Sequence, residues 1–168
     1  MPKDLSPVVN IEDVEEIDYL SGNSGGGFDK LLTPTMRERG GNLGVNRCRV
    51  PPGRAMCPFH SHQLEDEVFF VLSGSGVLRY GERIYQLRPG DCVSCPAGTG
   101  LAHQVANNGE VDLVYLAVGP HLAHEVCTYP DSGKVFIRSL NTVGHFAKAA
   151  NMDGEPDPPR IFELAERQ

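Results

Sequence analysis

Residues 57–72 read CPFHSHQLEDEVFFVL, and this run decides the fold. Pro58 and the lack of helical periodicity favour an extended chain, in which residues two apart share a face, so His60 and His62 point the same way. Alone, an HxH pair more often marks two surface histidines than a metal site. Glu67 lies five residues past His62, an odd count that an unbroken strand would turn to the opposite face. The polar segment Gln63–Asp66 can supply a corner that resets the register. Glu67 then opens the strand EVFFVL (67–72) with Phe69 and Val71 on its own face, towards a core where an unpaired carboxylate is costly. Taken alone, Glu65, Asp66 and Glu67 also read as a solvated acidic turn.

The same period of two continues on either side. Leu43–Val50 reads as a strand ending at Pro51-Pro52-Gly53, and Cys57–His62 as a second. Glu67–Leu72, almost wholly apolar, is expected to be buried on both faces. Val77–Tyr80 and Arg83–Leu87 form a hairpin across Gly81-Glu82, Arg88–Asp91 is a tight turn, and Asp91–Cys95 is a short strand stopped by Pro96. His103–Asn107 is expected to pair with Val111–Val118 across Asn107–Glu110, where Asn-Gly is a strong hairpin signal. Ile11–Leu20 fits an edge strand or a short helix, and Ser21–Gly27 has the composition of a flexible linker. The chain beyond Gly119 is irregular, with a turn at Pro130–Gly133, a Pro-rich stretch at 155–159 and a helical tail over Ile161–Arg167. These features predict one all-β barrel at residues 41–120, an N-terminal arm and Gly-rich linker at 1–40, and a C-terminal extension at 121–168.

His103 opens the strand after Pro96–Gly100 and adds a third imidazole. His60, His62, His103 and Glu67 together make an N₃O donor set that suits one divalent ion of Mn, Fe, Ni, Co, Cu or Zn and leaves positions open for water or substrate. The run Gly53, His60-Ser61-His62, Glu67, Gly74 resembles the first motif of the cupin family. Gly90-Asp91, Pro96-Ala97-Gly98, His103 and Asn107 resemble the second. The likeness spans residues 53–107 and continues with less force to about residue 135. One extra residue precedes His60 and two precede His103; the resulting PAGTGLAHQ, with Tyr129–Lys134, resembles a little-characterised bacterial subgroup of cupins. The resemblance implies a double-stranded β-helix (jelly-roll) barrel with a metal in its mouth. It also implies a homodimer that swaps or packs its N-terminal strands.

Composition narrows the function. The net charge of −7 without a basic run argues against nucleic acid or an anionic membrane as partner. No apolar stretch approaches the ~18 residues of a membrane span. The N-terminus lacks a basic and an apolar signal region, and five cysteines fit reduced thiols, so a cytoplasmic location is expected. Cys92 and Cys95 spell CxxC, but residues three apart on a strand face opposite ways, so buried structural thiols are expected rather than a redox pair. Cys57 is expected to face away from the metal. His121 and His124 are expected at solvent or an interface, and His145 has no evident partner. Among Arg47, Arg49 and Arg79, one could hold an anionic substrate group, with surface exposure the more ordinary state.

The expected function is a metal-dependent enzyme on a small oxygen-rich substrate, such as an isomerase or epimerase of a sugar or sugar phosphate. Glu67 would ligate or move a proton. An Fe(II)-type dioxygenase and a non-catalytic binding protein are the alternatives.

Overall fold

The computed structural model describes residues 6–167; the first five residues of the arm and Gln168 lie outside them. The strands are β1 (Ile17–Asp18), β2 (Phe28–Leu31), β3 (Leu43–Val50), β4 (Ser61–His62), β5 (Glu67–Ser73), β6 (Gly76–Tyr80) and β7 (Arg83–Leu87). They continue with β8 (Cys92–Cys95), β9 (His103–Ala106), β10 (Leu113–Pro120), β11 (Val126–Tyr129), β12 (Lys134–Ile137) and β13 (Thr142–Gly144). Two short helices, α1 (Pro34–Glu38) and α2 (Arg160–Ala165), complete the set.

One wall is a six-stranded sheet in the order β1-β2-β3-β10-β5-β8. Opposite it lie the sheets β7-β6-β9 and β13-β12-β11-β4, joined through bridges from His60 to His103 and from Ala55 to Ala106. This is the expected jelly-roll barrel. Alternate side chains of both walls fill it: Cys48 and Val50, Phe69 and Val71, Leu113 and Tyr115 from one, Leu78, Leu87 and Val105 from the other.

Several local expectations give way to tertiary packing. β5 is not buried on both faces: Phe69 and Val71 point inward, while Phe70 and Leu72 are 41% and 42% exposed on the outside. Residues 57–60 do not continue as a strand; only Ser61–His62 pairs regularly, with β11. β9 and β10 do not form a hairpin, because β9 pairs with β6 and β10 lies between β3 and β5. The buried Asn107 amide explains this. It donates to Val50 O (2.7 Å) and Val111 O (2.8 Å), and its oxygen accepts from Gly109 N. The Asn-Gly stretch is therefore pinned as a crossing between walls.

The Gly-rich segment 21–27 is not a free linker. Ser21 and Gly25 exchange backbone hydrogen bonds, and Gly26 N donates to Ala55 O at 2.8 Å. Gly26 has φ +77° with Tyr19 O where a Cβ would stand, so no other residue fits that approach. Ile11–Leu20 holds both elements it could form, a 3₁₀ turn at Ile11–Asp13 and β1. β1 and β2 extend the sheet through β3 of their own chain. The stretch after Gly119, irregular in sequence, supplies β11–β13, and β11 lies beside the short strand carrying His62. No helix among the described residues is long and apolar enough to cross a membrane.

Candidate metal centre

His62 and Glu67 belong to opposite walls, since β4 sits in one sheet and β5 in the other. The corner Gln63–Asp66 carries the chain between them, which is the register break the spacing requires. Buried groups hold it. The fully buried Glu125 accepts from Gln63 N (2.8 Å) and Leu64 N (3.0 Å). Asp66 accepts from Ala97 N, and Gly98 N donates to His62 O. Glu65, 4% exposed, pairs with the Arg138 guanidinium instead of facing water. The acidic turn is thus not solvated at Glu65, and Glu67 is only partly exposed.

Four side chains meet at the barrel mouth. His103 Nε2 lies 2.8 Å from Glu67 Oε2, His62 Nε2 3.3 Å and His60 Nε2 3.8 Å from the same oxygen. The structure brings together all four residues chosen from the sequence, with their donor atoms close enough to hold one ion. Gly119 makes room for the backbone of the corner: a Cβ there would lie 2.8 Å from Asp66 O.

The far side of the His60 ring fixes its tautomer. His60 Nδ1 lies 2.8 Å from Pro58 O, which can only accept, so the proton sits on Nδ1 and Nε2 presents a lone pair. His62 Nδ1 is surrounded by Cys127 Sγ (3.3 Å), Glu125 Oε1 (3.5 Å) and Glu65 Oε2 (3.7 Å). His62 Nε2 is buried without a hydrogen-bond partner. A divalent ion fits that orphaned atom and the N₃O set around it.

Electrostatics without an ion show the same crowding. Burial, with His103 beside it, lowers His60 to about 4. Burial also works to lower His62, but Cys127 and Glu67 outweigh it and lift the ring to about 10. Burial works to raise Glu67, and the adjacent His103 and His62 rings instead hold its carboxyl well below the usual range.

A cavity of about 380 Å³ opens beside the cluster and reaches it at His62 and Glu67, not at His60 or His103. Its lining includes His62, Glu67, Glu65 and Arg138, with Asp29 and Asn46 from β2 and β3. The exposed His121 lies at its edge, whereas His124 and His145 are exposed elsewhere. None of the three arginines singled out in the sequence lines it. Arg47 and Arg49 clasp Glu16, Arg49 also reaches Asp112, and Arg79 stacks on Phe59 and pairs with Asp131. Glu65, Glu125, Cys127, Arg138 and Asp29 were not legible as site residues, because no local pattern distinguishes them. Cys95 is buried and Cys92 exposed, so the CxxC thiols face opposite ways, but only one is a core thiol. Residues 57–59 are irregular, so strand parity does not turn Cys57 away, and the residue is exposed.

The chain matches the Cupin domain family over residues 46–119. It is 33% identical over 72 residues to an oxalate-binding protein of Thermotoga maritima. That stretch is 43% of this chain and 57% of the relative, so the chain spans little more than half that protein's length. Its fold matches a cupin-superfamily sugar phosphate isomerase of Silicibacter pomeroyi with a TM-score of 0.70 at 25% identity, covering 89% of this chain and 96% of that one. It also matches a provisionally assigned sugar phosphate isomerase of Acidithiobacillus ferrooxidans, with a TM-score of 0.63 at 26% identity over 79% and 83% of the two chains.

Proposed function

We propose that this chain, which matches the Cupin domain family over residues 46–119, is a divalent-metal enzyme for a small oxygen-rich substrate. A sugar or sugar phosphate and isomerase- or epimerase-type chemistry fit best. The observation that carries the reading is the convergence of three imidazole Nε2 atoms on one carboxylate oxygen, beside a 380 Å³ cavity lined by His62 and Glu67. His60, His62, His103 and Glu67 hold the ion, which when bound supplies Lewis acidity towards a substrate carbonyl or hydroxyl oxygen. Pro58 O orients His60, while Glu125 and Cys127 orient His62. Glu67 stands where it can accept or return a proton of a bound hydroxyl. The likeness to sugar phosphate isomerases supports the substrate class. The exposed Phe70 and Leu72 on the outer face of β5 are consistent with a homodimer.

Elemental analysis of the purified protein tests the centre: about one divalent ion per chain is expected, and none in the His60→Ala variant. The metal-loaded protein should then interconvert an aldose phosphate and a ketose phosphate without consuming O₂. A second reading is a non-catalytic binding protein, favoured by the oxalate-binding relative. Tight oxalate binding with no turnover of any sugar phosphate would select it.

A further inference from the structure

Among the described residues, two buried side-chain polar atoms lack a hydrogen-bond partner, His62 Nε2 and Asp29 Oδ1. Both residues line the same cavity. His62 Nε2 is accounted for by the ion. Asp29 is not a member of the four-residue cluster, and no ion pair to it is present among the described residues.

The sheet explains how a carboxylate comes to this place. Asp29 is the second residue of β2 and stands opposite Cys48 of β3, which in turn stands opposite Tyr115 of β10. Cross-strand partners share a face, so Asp29 lies on the inner face with Cys48 and Tyr115, both 3% exposed. Burial raises its carboxyl above the ordinary 3.8, and a hydrogen bond from the Cys48 thiol works the other way. A buried, unpaired acceptor costs stability, and an apolar residue on this face would not. Such a cost is characteristic of a group that is completed by a ligand.

We propose that Asp29 is a specificity-determining residue that takes a hydroxyl of the ligand and so selects a polyhydroxylated molecule over a bare dicarboxylate. This rests on the reading of the cavity as the substrate site. β2 lies three strands from β5 in the sheet, so a ligand held at Glu67 must extend along the cavity to reach Asp29. A two-carbon dianion satisfies the ion alone. A longer polyhydroxylated ligand lying along the cavity can bring a hydroxyl to the Asp29 carboxylate, which lines it. A second anionic group at that position would instead meet a carboxylate.

The test uses Mn²⁺-loaded wild type, Asp29→Asn and Asp29→Leu, with calorimetric titration of D-fructose 6-phosphate, D-glucose 6-phosphate and oxalate. A hydrogen bond to a charged group is worth about 10- to 100-fold in affinity. Asp29→Leu should therefore lose about that factor for the hexose phosphates, with Asp29→Asn, which keeps one acceptor, between. Oxalate affinity and Mn²⁺ stoichiometry should not fall in either variant. Metal-free Asp29→Leu should melt above the wild type, a gain that a purely structural partner would not show. Equal loss for oxalate and hexose phosphates, no loss for either, or loss of the ion overturns the proposal. So does a wild type that binds neither hexose phosphate. Hexose phosphate binding that depends on Asp29 but leads to no isomerisation overturns the enzyme reading and leaves the role of Asp29 standing.

Discussion

Replacing Glu125 with alanine should destabilise the protein and loosen its metal centre together. The fully buried carboxylate accepts from the amides of Gln63 and Leu64, the two residues that follow His62 around the corner between walls. Removing it leaves Leu64 N without that acceptor, whereas Gln63 N keeps Val126 O at 3.1 Å. One donor left unsatisfied costs about 1–3 kcal/mol. At a urea m-value near 2 kcal/mol/M, about 2 kcal/mol is a midpoint lower by about 1 M. Glu125→Gln retains one acceptor oxygen and should lose less. Glu125 also lies 3.5 Å from His62 Nδ1, so metal affinity should fall by about 10- to 100-fold in Glu125→Ala. Urea titration of the metal-free protein followed by metal titration reads the two effects separately. A Glu125→Ala midpoint equivalent to less than about 0.5 kcal/mol would refute the stability argument. An unchanged metal affinity would refute the orienting role.

Other outcomes follow from the same geometry. His103→Ala should abolish stoichiometric metal uptake, and added Mn²⁺ should raise the melting temperature of the wild type but not of this variant; a matching rise in both would remove His103 from the centre. Arg49, helped by Arg47 against a smaller effect of burial, lowers Glu16 from its ordinary 4.5 to about 2. That stabilisation is present above pH 4.5 and is lost as pH falls through about 2. It amounts to on the order of 1 kcal/mol after solvent screening. Glu16→Gln should therefore flatten the acid limb of a stability–pH curve, and an unaltered limb would contradict the network. Phe69→Ala, at a position 6% exposed between Tyr115 and His103, should cost about 3–5 kcal/mol in a denaturation experiment. Phe70→Ala on the outer face should cost far less unless the protein associates through it, which light scattering would reveal.

Much of this molecule could be read before its fold was known. Alternation in EVFFVL and in Leu43–Val50, with Pro and Gly between the runs, marks strands because a pleated chain presents every second side chain to the core. The same parity made the five-residue gap between His62 and Glu67 informative, and the corner it demanded is present. Parity could not say which strands become neighbours. Asn107-Asn108-Gly109 has the local chemistry of a hairpin, yet the Asn107 amide is used to cap Val50 and Val111 and sends the chain across the barrel. Pairing is settled by which apolar faces close on each other, and that is a property of the whole chain.

The four converging side chains lie within 44 residues and carry a recognisable spacing, so the sequence alone was enough to choose them. Their support was not. Glu125, Cys127 and Arg138 come from a segment with no periodicity of its own, and it gains strands by docking against β4. Asp29, in a stretch with no pattern of its own, becomes a half-buried cavity carboxylate only when β2 adds to β3. Donor type and spacing are local quantities, and a sequence records them directly. Desolvation and the absence of a partner depend on what the rest of the chain places around a residue, and only the tertiary structure decides that.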